Sequence, residues 1–314
     1  MTFEHCAVIF YPDTHMPKAQ FVTVTKAEAG QKLLQFLERR LTGDVPRSAI
    51  QRWIRKGQVR VDKGRKKPFD RIESGQMVRI PPYEPGETTT FVSSGKLIMA
   101  YEDDGILAIA KPAGLPAHGG DKVEDSVIAR LNAIYPDPEF MPTLAHRLDK
   151  DTSGLLLAAK SYEKLRELND LFASGEVGKV YLAWVKGYWK EPGVTLLHDR
   201  IEKHGKPGKQ KVRTGSGKTA LAKVMGLESN RRYSLVAIRL LTGRTHQIRV
   251  QMEARNHPII GDRKYGKGNE RGAMRLHCYA MEVEGKMIKL DPPWTGQWKT
   301  PPNALQGALG LLYD

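Results

Sequence analysis

The chain has 314 residues, 40% of them hydrophobic, and carries 50 Lys and Arg against 35 Asp and Glu. This length allows one substantial core and a smaller module, so we expect two folded units. The formal net charge of +15 favours a polyanionic partner, above all nucleic acid. Cys6 and Cys278 have no C-x-x-C spacing, so the sequence predicts neither a disulfide framework nor a zinc or other metal site.

The sequence predicts neither export nor membrane insertion. Residues 1–11 lack a basic stretch followed by a long apolar run, and no later apolar stretch approaches the roughly 20 residues that span a bilayer. We therefore expect a soluble, unprocessed, cytoplasmic protein. We also expect a monomer with no membrane contact and no obligate protein partner.

The positive charge is concentrated near the N-terminus. After a predicted tail over residues 1–23, residues 24–81 show two short helical patterns followed by two strand-like segments. Between Gln31 and Ile80 there are fourteen Lys or Arg and five Asp or Glu, which gives +9 of the total +15. A solvated surface is the plain alternative for such a window, while a nucleic-acid interface is the functional one.

The order of these elements resembles the S4 RNA-binding domain. The first helix buries a leucine-rich face over Leu33–Leu41, and the second opens at Pro46 with Ile50, Trp53 and Ile54 on its apolar side. A hairpin from Val59 to Ile80 follows. The basic residues that this resemblance offers to RNA are Arg47, Arg52, Arg55, Lys56, Arg60, Lys66 and Lys67.

A proline-rich linker is predicted over residues 82–96, and a larger domain over residues 97–314. Strands and helices mix there without regular βαβ alternation, which predicts an α+β domain. Residues 202–218 are rich in Gly and Lys, and we expect a mobile basic loop that either touches RNA or only maintains solubility.

The most distinctive polar segment is His146–Gly154, with the sequence HRLDKDTSG, directly before the apolar run Leu155–Ala159. A loop in this position presents polar groups at a strand edge. Asp149 lies beside Arg147, which would keep the carboxylate ionised as a nucleophile or base. The bland alternative is an Asp or Thr that caps a turn.

This string resembles the signature of the RluA-type pseudouridine synthase family. Three further segments have the look of the same family, and with it they cover nearly all of residues 97–314: Lys111–Gly120, Lys179–Gly187, and Gly243–Met252 followed by His257–Asp262. An S4 module ahead of a synthase domain is the order of the ribosomal branch. Without the resemblance, the Arg-rich segment after Gly243 would be a strand with a solvated or phosphate-binding face.

The resemblance implies a mixed, largely antiparallel sheet and a set of site residues. Asp149 corresponds to the catalytic carboxylate, Tyr181 to a residue that stacks on the target base and serves in proton transfer, and Arg249 to the partner of the carboxylate. Arg147 would fill the gap left by the flipped base. His118 and His246 complete the predicted substrate-binding set. Uridine and pseudouridine are isomers, so no cofactor is expected.

Two other functions fit parts of the sequence. Asp149, Asp151 and Thr152 match the D-x-D-x-T string of aspartyl-phosphate phosphatases at its first, third and fourth places, but Ser153 occupies the fifth. The other alternative is a non-catalytic RNA-binding factor in which the large domain is a scaffold.

Overall fold

The computed structural model describes residues 18–41, 45–83, 95–119, 125–136, 138–204, 211–266, 272–301, 304–305 and 308–313. The chain divides into two compact units, Met1–Thr90 and Phe91–Asp314. Most of the predicted tail and linker, residues 1–17 and 84–94, lies outside the described residues. No described helix is both long and apolar enough to cross a membrane.

The first unit contains two helices and a three-stranded antiparallel sheet of order β1-β3-β2. Its elements are β1 (Gln20–Thr23), α1 (Leu33–Arg40), α2 (Arg47–Arg55), β2 (Arg60–Val61) and β3 (Met77–Ile80). The predicted apolar faces of both helices pack into one core, in which Phe36 and Leu37 are fully buried. The predicted hairpin is β2 paired with β3.

One part of the predicted tail is a strand. Gln20–Thr23 pairs with Met77–Ile80, residue for residue, so β1 is the third strand of this sheet. The strand has only four residues, and of these Val22 packs against the core. The alternation of apolar and polar residues is therefore too short to predict a strand from the sequence.

The second unit is built on an eleven-stranded sheet with helices beside it, the α+β class predicted. Its strands are β4 (Ile98–Glu102), β5 (Ile106–Lys111), β6 (Thr143–Leu144), β7 (Ser153–Ala159), β8 (Gly178–Lys186), β9 (Val194–His204), β10 (Lys211–Thr214), β11 (Lys218–Ser229), β12 (Tyr233–Leu240), β13 (Leu276–Val283) and β14 (Lys286–Lys289). Its helices are α3 (Val127–Ile134), α4 (Tyr162–Ser174), α5 (Gln247–Ala254) and α6 (Ala308–Tyr313).

The main strand order is β10-β9-β11-β12-β8-β13-β7-β5-β4, with β14 added to β13 and β6 to β7. Among the described strands, β13 and β7 pair in parallel and the other pairs are antiparallel, which confirms the mixed, largely antiparallel sheet. Every residue of β7 is buried, as expected for a central strand. Strand β13 lies between β7 and β8 and thereby places the signature loop beside the strand that carries Tyr181.

The described residues of the segment 202–218 are mostly strand, where its composition predicts a mobile loop. Strand β9 continues to His204, β10 pairs back onto it, and β11 begins at Lys218, while residues 205–210 lie outside the described part. Ile201 and Val212 are buried between charged neighbours. Alternation with period two is the strand signal here, and the high Lys and Gly content obscured it.

The Arg-rich segment that looked like a strand without the family resemblance is a helix. Helix α5 begins after His246, whose backbone is left-handed at φ 55°, and it buries Ile248, Val250 and Met252. Its burial depends on packing against β9 and β10, which a local sequence pattern does not contain.

Gly154 makes the closest approach between β7 and β13. Its φ is +115°, and a Cβ there would lie 2.4 Å from both the backbone N and O of Cys278. We predict that Gly154→Ala lowers the free energy of unfolding by more than about 2 kcal/mol, since backbone strain and a clash with backbone atoms add. The measurement is urea unfolding monitored by circular dichroism.

Gly175→Ala is the matched control for this substitution. Gly175 ends α4 with φ +84°, but a Cβ there meets nothing within 4 Å. Its cost is therefore that of the left-handed backbone alone, roughly 1–2 kcal/mol. Equal destabilisation by the two substitutions would contradict a role for the close approach at Gly154.

Candidate active site

The loop that precedes β7 is fixed in place by the buried side chain of Lys111. The Lys111 Nζ donates to the carbonyl oxygens of Leu115 at 2.6 Å, Pro112 at 2.9 Å and Lys150 at 2.9 Å. Burial lowers its pKa to about 8, opposed by the carboxylates of Asp151 and Asp149. Lys111 therefore ties the Lys-Pro segment to the loop that carries Asp149.

A second tie holds the other end of the loop. The Ser153 hydroxyl lies 2.9 Å from His277 Nδ1, while His277 Nε2 lies 2.9 Å from the carbonyl oxygen of Leu290. Because a carbonyl can only accept, Nε2 carries the proton and Nδ1 accepts from Ser153. Burial lowers the pKa of His277 to about 4, so the ring is neutral and acts as a brace between β7 and β13.

Asp149 is paired with Arg249. Arg249 Nη1 donates to Asp149 Oδ2 at 2.8 Å, across 100 residues of sequence. The Arg249 side chain is 7% exposed and the Asp149 side chain 21%, and Asp149 lines the cavity described below. Asp149 thus presents a carboxylate whose direction is set from behind by a buried cation.

Arg249 has a second partner that the sequence did not reveal. Its Nε and Nη2 donate to the two carboxylate oxygens of Asp262, both at 2.8 Å, and that carboxylate is fully buried. Burial alone would raise the pKa of Asp262, but the hydrogen bonds and charge of Arg249 lower it overall. The backbone N–H groups of Lys264 and Tyr265 also donate to Asp262. Asp262 ends the segment His257–Asp262, so its position in that motif was the available signal.

His246 contributes a third group next to the carboxylate. Its Nε2 is 3.7 Å from Asp149 Oδ2, and its Nδ1 is 2.7 Å from the Tyr265 hydroxyl. Burial is the largest influence on its pKa, which lies below the ordinary value despite the nearby charge of Asp149. The ring is therefore neutral near pH 7.

Tyr181 lies on β8 and is buried, with 7% of its surface exposed. It faces Cys278 across the β8–β13 pair and hydrogen-bonds with that thiol. Burial raises the pKa of Tyr181 well above its usual value, with Cys278 and Asp149 adding to the effect. The phenol is thus protonated near pH 7 and presents an uncharged ring.

These groups share one cavity of about 540 Å³. Asp149, Tyr181, Arg249, His246 and the exposed Arg147 all line it, so five of the six predicted catalytic and substrate-binding residues lie together. The cavity is large enough for a nucleoside, and it has a carboxylate and a phenol ring on its walls.

His118 differs from the other five residues. It is exposed and does not line that cavity among the described residues. Partial loss of hydration and the charge of Arg147 lower its pKa, which places it near the arginine rather than the carboxylate.

The predicted RNA-binding residues lie on the first unit. Arg52, Arg55 and Lys56 are exposed on or just after α2, whose opposite side buries Ile50 and Ile54. The four others occupy the same unit: Arg47, which pairs with Glu38 at 2.8 Å, Arg60 on β2, and Lys66 and Lys67 in the turn before β3.

Comparison with known proteins identifies the class of enzyme. Residues 105–254 match the RNA pseudouridylate synthase family. A protein of Salmonella typhi is 39% identical over 309 residues, which cover 91% of this chain and 96% of that protein. One of Escherichia coli K12 is 38% identical over 303 residues, covering 89% and 94%. The chain therefore belongs to the RNA pseudouridylate synthase family, and it is an isomerase. Both relatives are ribosomal large subunit pseudouridine synthase C.

Solved structures agree on the fold. The human RNA pseudouridylate synthase domain containing 1 superposes with a TM-score of 0.53 at 23% identity, over 73% of this chain and 90% of that one. The human RNA pseudouridylate synthase domain containing 4 superposes with a TM-score of 0.51 at 22% identity, over 68% of this chain and 92% of that one.

The Arg249–Asp262 pair yields a prediction about stability. Asp262→Asn leaves a buried guanidinium without its main counterion, so we expect a loss of about 3–5 kcal/mol in the free energy of unfolding. Isomerisation should also slow, because Arg249 would no longer be held in position. Asp199→Asn is the matched control, since Asp199 pairs with Arg255 at 2.9 Å in a more exposed place and should cost at most about 1 kcal/mol.

The same substitution has a pH signature. The pKa of Asp262 is lower in the folded chain than its unfolded value of about 4, so its stabilisation is complete above about pH 4 and is lost as pH falls further. The unaltered protein should therefore lose more stability than Asp262→Asn upon acidification from pH 7 to pH 3. Parallel stability curves for the two proteins would contradict the ion-pair assignment.

Proposed function

We propose that this enzyme isomerises specific uridines to pseudouridine in the RNA of the large ribosomal subunit, as the names of its relatives indicate for them. The observation that carries the proposal is the accessible Asp149 carboxylate, held at 2.8 Å by Arg249 in a cavity of nucleoside size. The RNA substrate follows from the family, and the ribosomal choice from relatives that match over most of their length.

The target uridine has to leave the RNA stack to reach Asp149. Base flipping costs a few kcal/mol and requires a group that fills the vacated space. The exposed guanidinium of Arg147 lies two residues from Asp149 and is planar, so it can stack between the neighbouring bases. Tyr181 then supplies an aromatic face for the flipped uracil inside the cavity.

Asp149 is the residue that acts on the flipped nucleotide. It attacks C1′ of the ribose or C6 of the uracil, or removes a ribose proton, and all three routes need an ionised, directed carboxylate. Arg249 fixes the direction of the Asp149 carboxylate, and it does not become a proton donor, because its pairs with Asp262 and Asp149 raise its own pKa against the effect of burial. Neutral His246, whose Nε2 lies 3.7 Å from Asp149 Oδ2, lines the site without adding a second positive charge beside the carboxylate.

The reaction needs no cofactor, since reactant and product have the same atoms and oxidation state. The detached uracil is retained, rotated and rejoined through C5. We further propose that the S4-like first unit grips the RNA while the second carries out the chemistry, and that the protein works in the cytoplasm as a monomer.

The phosphatase alternative requires Asp151 to act beside Asp149. Asp151 is exposed and does not line the cavity among the described residues, so the two carboxylates do not face one substrate. A scaffold without activity gives no reason for the buried Arg249–Asp262 pair that orients Asp149.

The first test of this mechanism is Asp149→Asn. We expect isomerisation to fall below detection, while the fold and the affinity for RNA stay within experimental error, because the amide keeps the shape and loses the charge. Asp151→Asn in the same loop is the matched control and should keep the full rate. Pseudouridine-specific chemical mapping of transcribed ribosomal RNA measures both, and appreciable turnover by Asp149→Asn would refute the proposed role.

The second test concerns the first unit. Reversal of Arg52, Arg55 and Lys56 to Glu should weaken RNA binding and flatten its salt dependence, with each lost phosphate contact removing nearly one unit of the log-log slope. The rate at saturating RNA should remain close to that of the unaltered enzyme.

The control for net charge is a second triple variant with the same change in charge, made on the second unit. It replaces three exposed lysines by Glu: Lys190, Lys289 and Lys299. A similar loss of affinity in both triple variants would mean that net charge matters and the α2 surface does not. An unchanged salt slope in the α2 variant would direct the search to the hairpin of β9 and β10.

A further inference from the structure

Lys179 shares a strand face with Tyr181. The two residues are two positions apart on β8, so their side chains leave the same face of the strand, and both line the cavity. Lys179 was part of a recognised motif but has no role in the mechanism above. It presents a cation to the space that Tyr181 bounds.

The surroundings of this ammonium are apolar and aromatic. Its Nζ lies 5.3 Å from the centroid of the Phe172 ring, which packs in turn on the ring of His146 at 4.7 Å. The Nζ also lies 3.7 Å from where a Cβ of Gly243 would stand. The Lys179 ammonium is therefore bounded by the Phe172 ring and by Gly243, neither of which carries a negative charge.

Within the described part of the chain, Lys179 Nζ has neither a hydrogen-bond acceptor nor an ion-pair partner. Other buried cations of this unit are satisfied, since Lys111 donates to three carbonyl oxygens and Arg249 pairs with two carboxylates. A half-buried charge without an acceptor costs free energy. A ligand that brings an acceptor oxygen into the cavity would recover that free energy.

We propose that Lys179 donates a hydrogen bond to a carbonyl oxygen of the flipped uracil and stabilises the negative charge that the base carries during isomerisation. This inference rests on the proposed function. The bond between N1 and C1′ breaks with its electron pair left on the uracil, which spreads the charge onto O2 and O4. The bond between C5 and C1′ then forms, C5 loses a proton and N1 gains one, so no oxidant or reductant is needed.

The role does not depend on which atom Asp149 attacks. Attack at C6 also sends electrons to O4, so the uracil carries negative charge on oxygen in that route too. A fixed cation aimed at such an oxygen acts as oxyanion-hole donors do.

A phosphate oxygen is the other acceptor that RNA offers. The position of Lys179 favours the base, because it lies against Phe172 and on the same face as Tyr181, the proposed stacking residue. Arg244 also lines the cavity, and it is exposed and better placed for the backbone.

The test compares Lys179→Met with Lys186→Met, an exposed lysine at the end of the same strand. Two quantities are measured on substrate RNA: the dissociation constant and the single-turnover rate at saturating enzyme. We expect Lys179→Met to lower the rate about 100-fold or more. Its dissociation constant should stay within about three-fold of the unaltered value, less than 1 kcal/mol. Lys186→Met should change neither, and Lys179→Arg should recover part of the rate.

Substrate analogues locate the acceptor. RNAs with 2-thiouridine or 4-thiouridine at the target replace one carbonyl oxygen by sulfur, a poor acceptor. The unaltered enzyme should slow on one of them, and Lys179→Met should slow no further on that analogue, as a direct contact requires. If Lys179→Met lowered the rate on both analogues as much as it does on the ordinary substrate, the proposed hydrogen bond from Lys179 to a uracil oxygen would be overturned.

A phosphate contact would give a different pattern. The dissociation constant of Lys179→Met would rise, its salt slope would fall by about 0.7–0.9, and its saturating rate would hardly change. That result overturns the assignment to the base.

The inference and the function on which it rests fail in distinguishable ways. An unaltered enzyme inactive on ribosomal RNA refutes the proposed function, whereas an active enzyme together with an active Lys179→Met refutes this inference alone. The melting temperature should not fall in Lys179→Met, because an unpartnered charge is removed. If it does fall, the thio-substrate comparison with the folded Lys179→Arg variant decides.

Discussion

The candidate active site depends on one buried ion pair, that of Arg249 with Asp262. Asp262 takes up two of the guanidinium's donor groups, which leaves Nη1 directed at Asp149. The guanidinium that holds Asp149 is therefore itself anchored by a fully buried carboxylate. The guanidinium also lies 5.1 Å from the centre of the Tyr265 ring, which limits its movement.

Strand β13 brings the other groups of the site together, because it pairs both with β7, which follows the signature loop, and with β8, which carries Tyr181. Its parallel pairing to β7 places Cys278 beside Gly154, and its antiparallel pairing to β8 places the same residue opposite Tyr181. The close approach requires a residue without Cβ at Gly154. Lys111 and the Ser153–His277 pair fix the two ends of the signature loop, so side chains outside the loop's centre help to determine the position of Asp149.

Much of this was predictable because motifs and short-range patterns carry it. The buried run of β7 follows the signature loop as expected, and α4 is bounded by the Ser161 cap and Gly175. The predictions that were wrong or missing concern elements that depend on contacts between distant parts of the chain. Strand β1 exists only because β3 lies beside it, α5 is helical where a strand seemed reasonable, and the described residues of the charged 202–218 segment are mostly strand. The motif His257–Asp262 contains Asp262, but the pairing of Asp262 with Arg249 is a feature of tertiary packing. So is the lack of an acceptor for Lys179 among the described residues.

The contacts that build the site join residues far apart in the chain. Asp149 and Arg249 are 100 residues apart, and Ser153 and His277 are 124 apart. Loop closure over such separations comes late in folding. On the ribosome, the carboxylate emerges long before the arginine that orients it and the strand that braces its loop. A nascent chain can therefore carry its folded first unit while it still lacks catalytic competence, which requires a nearly complete protein.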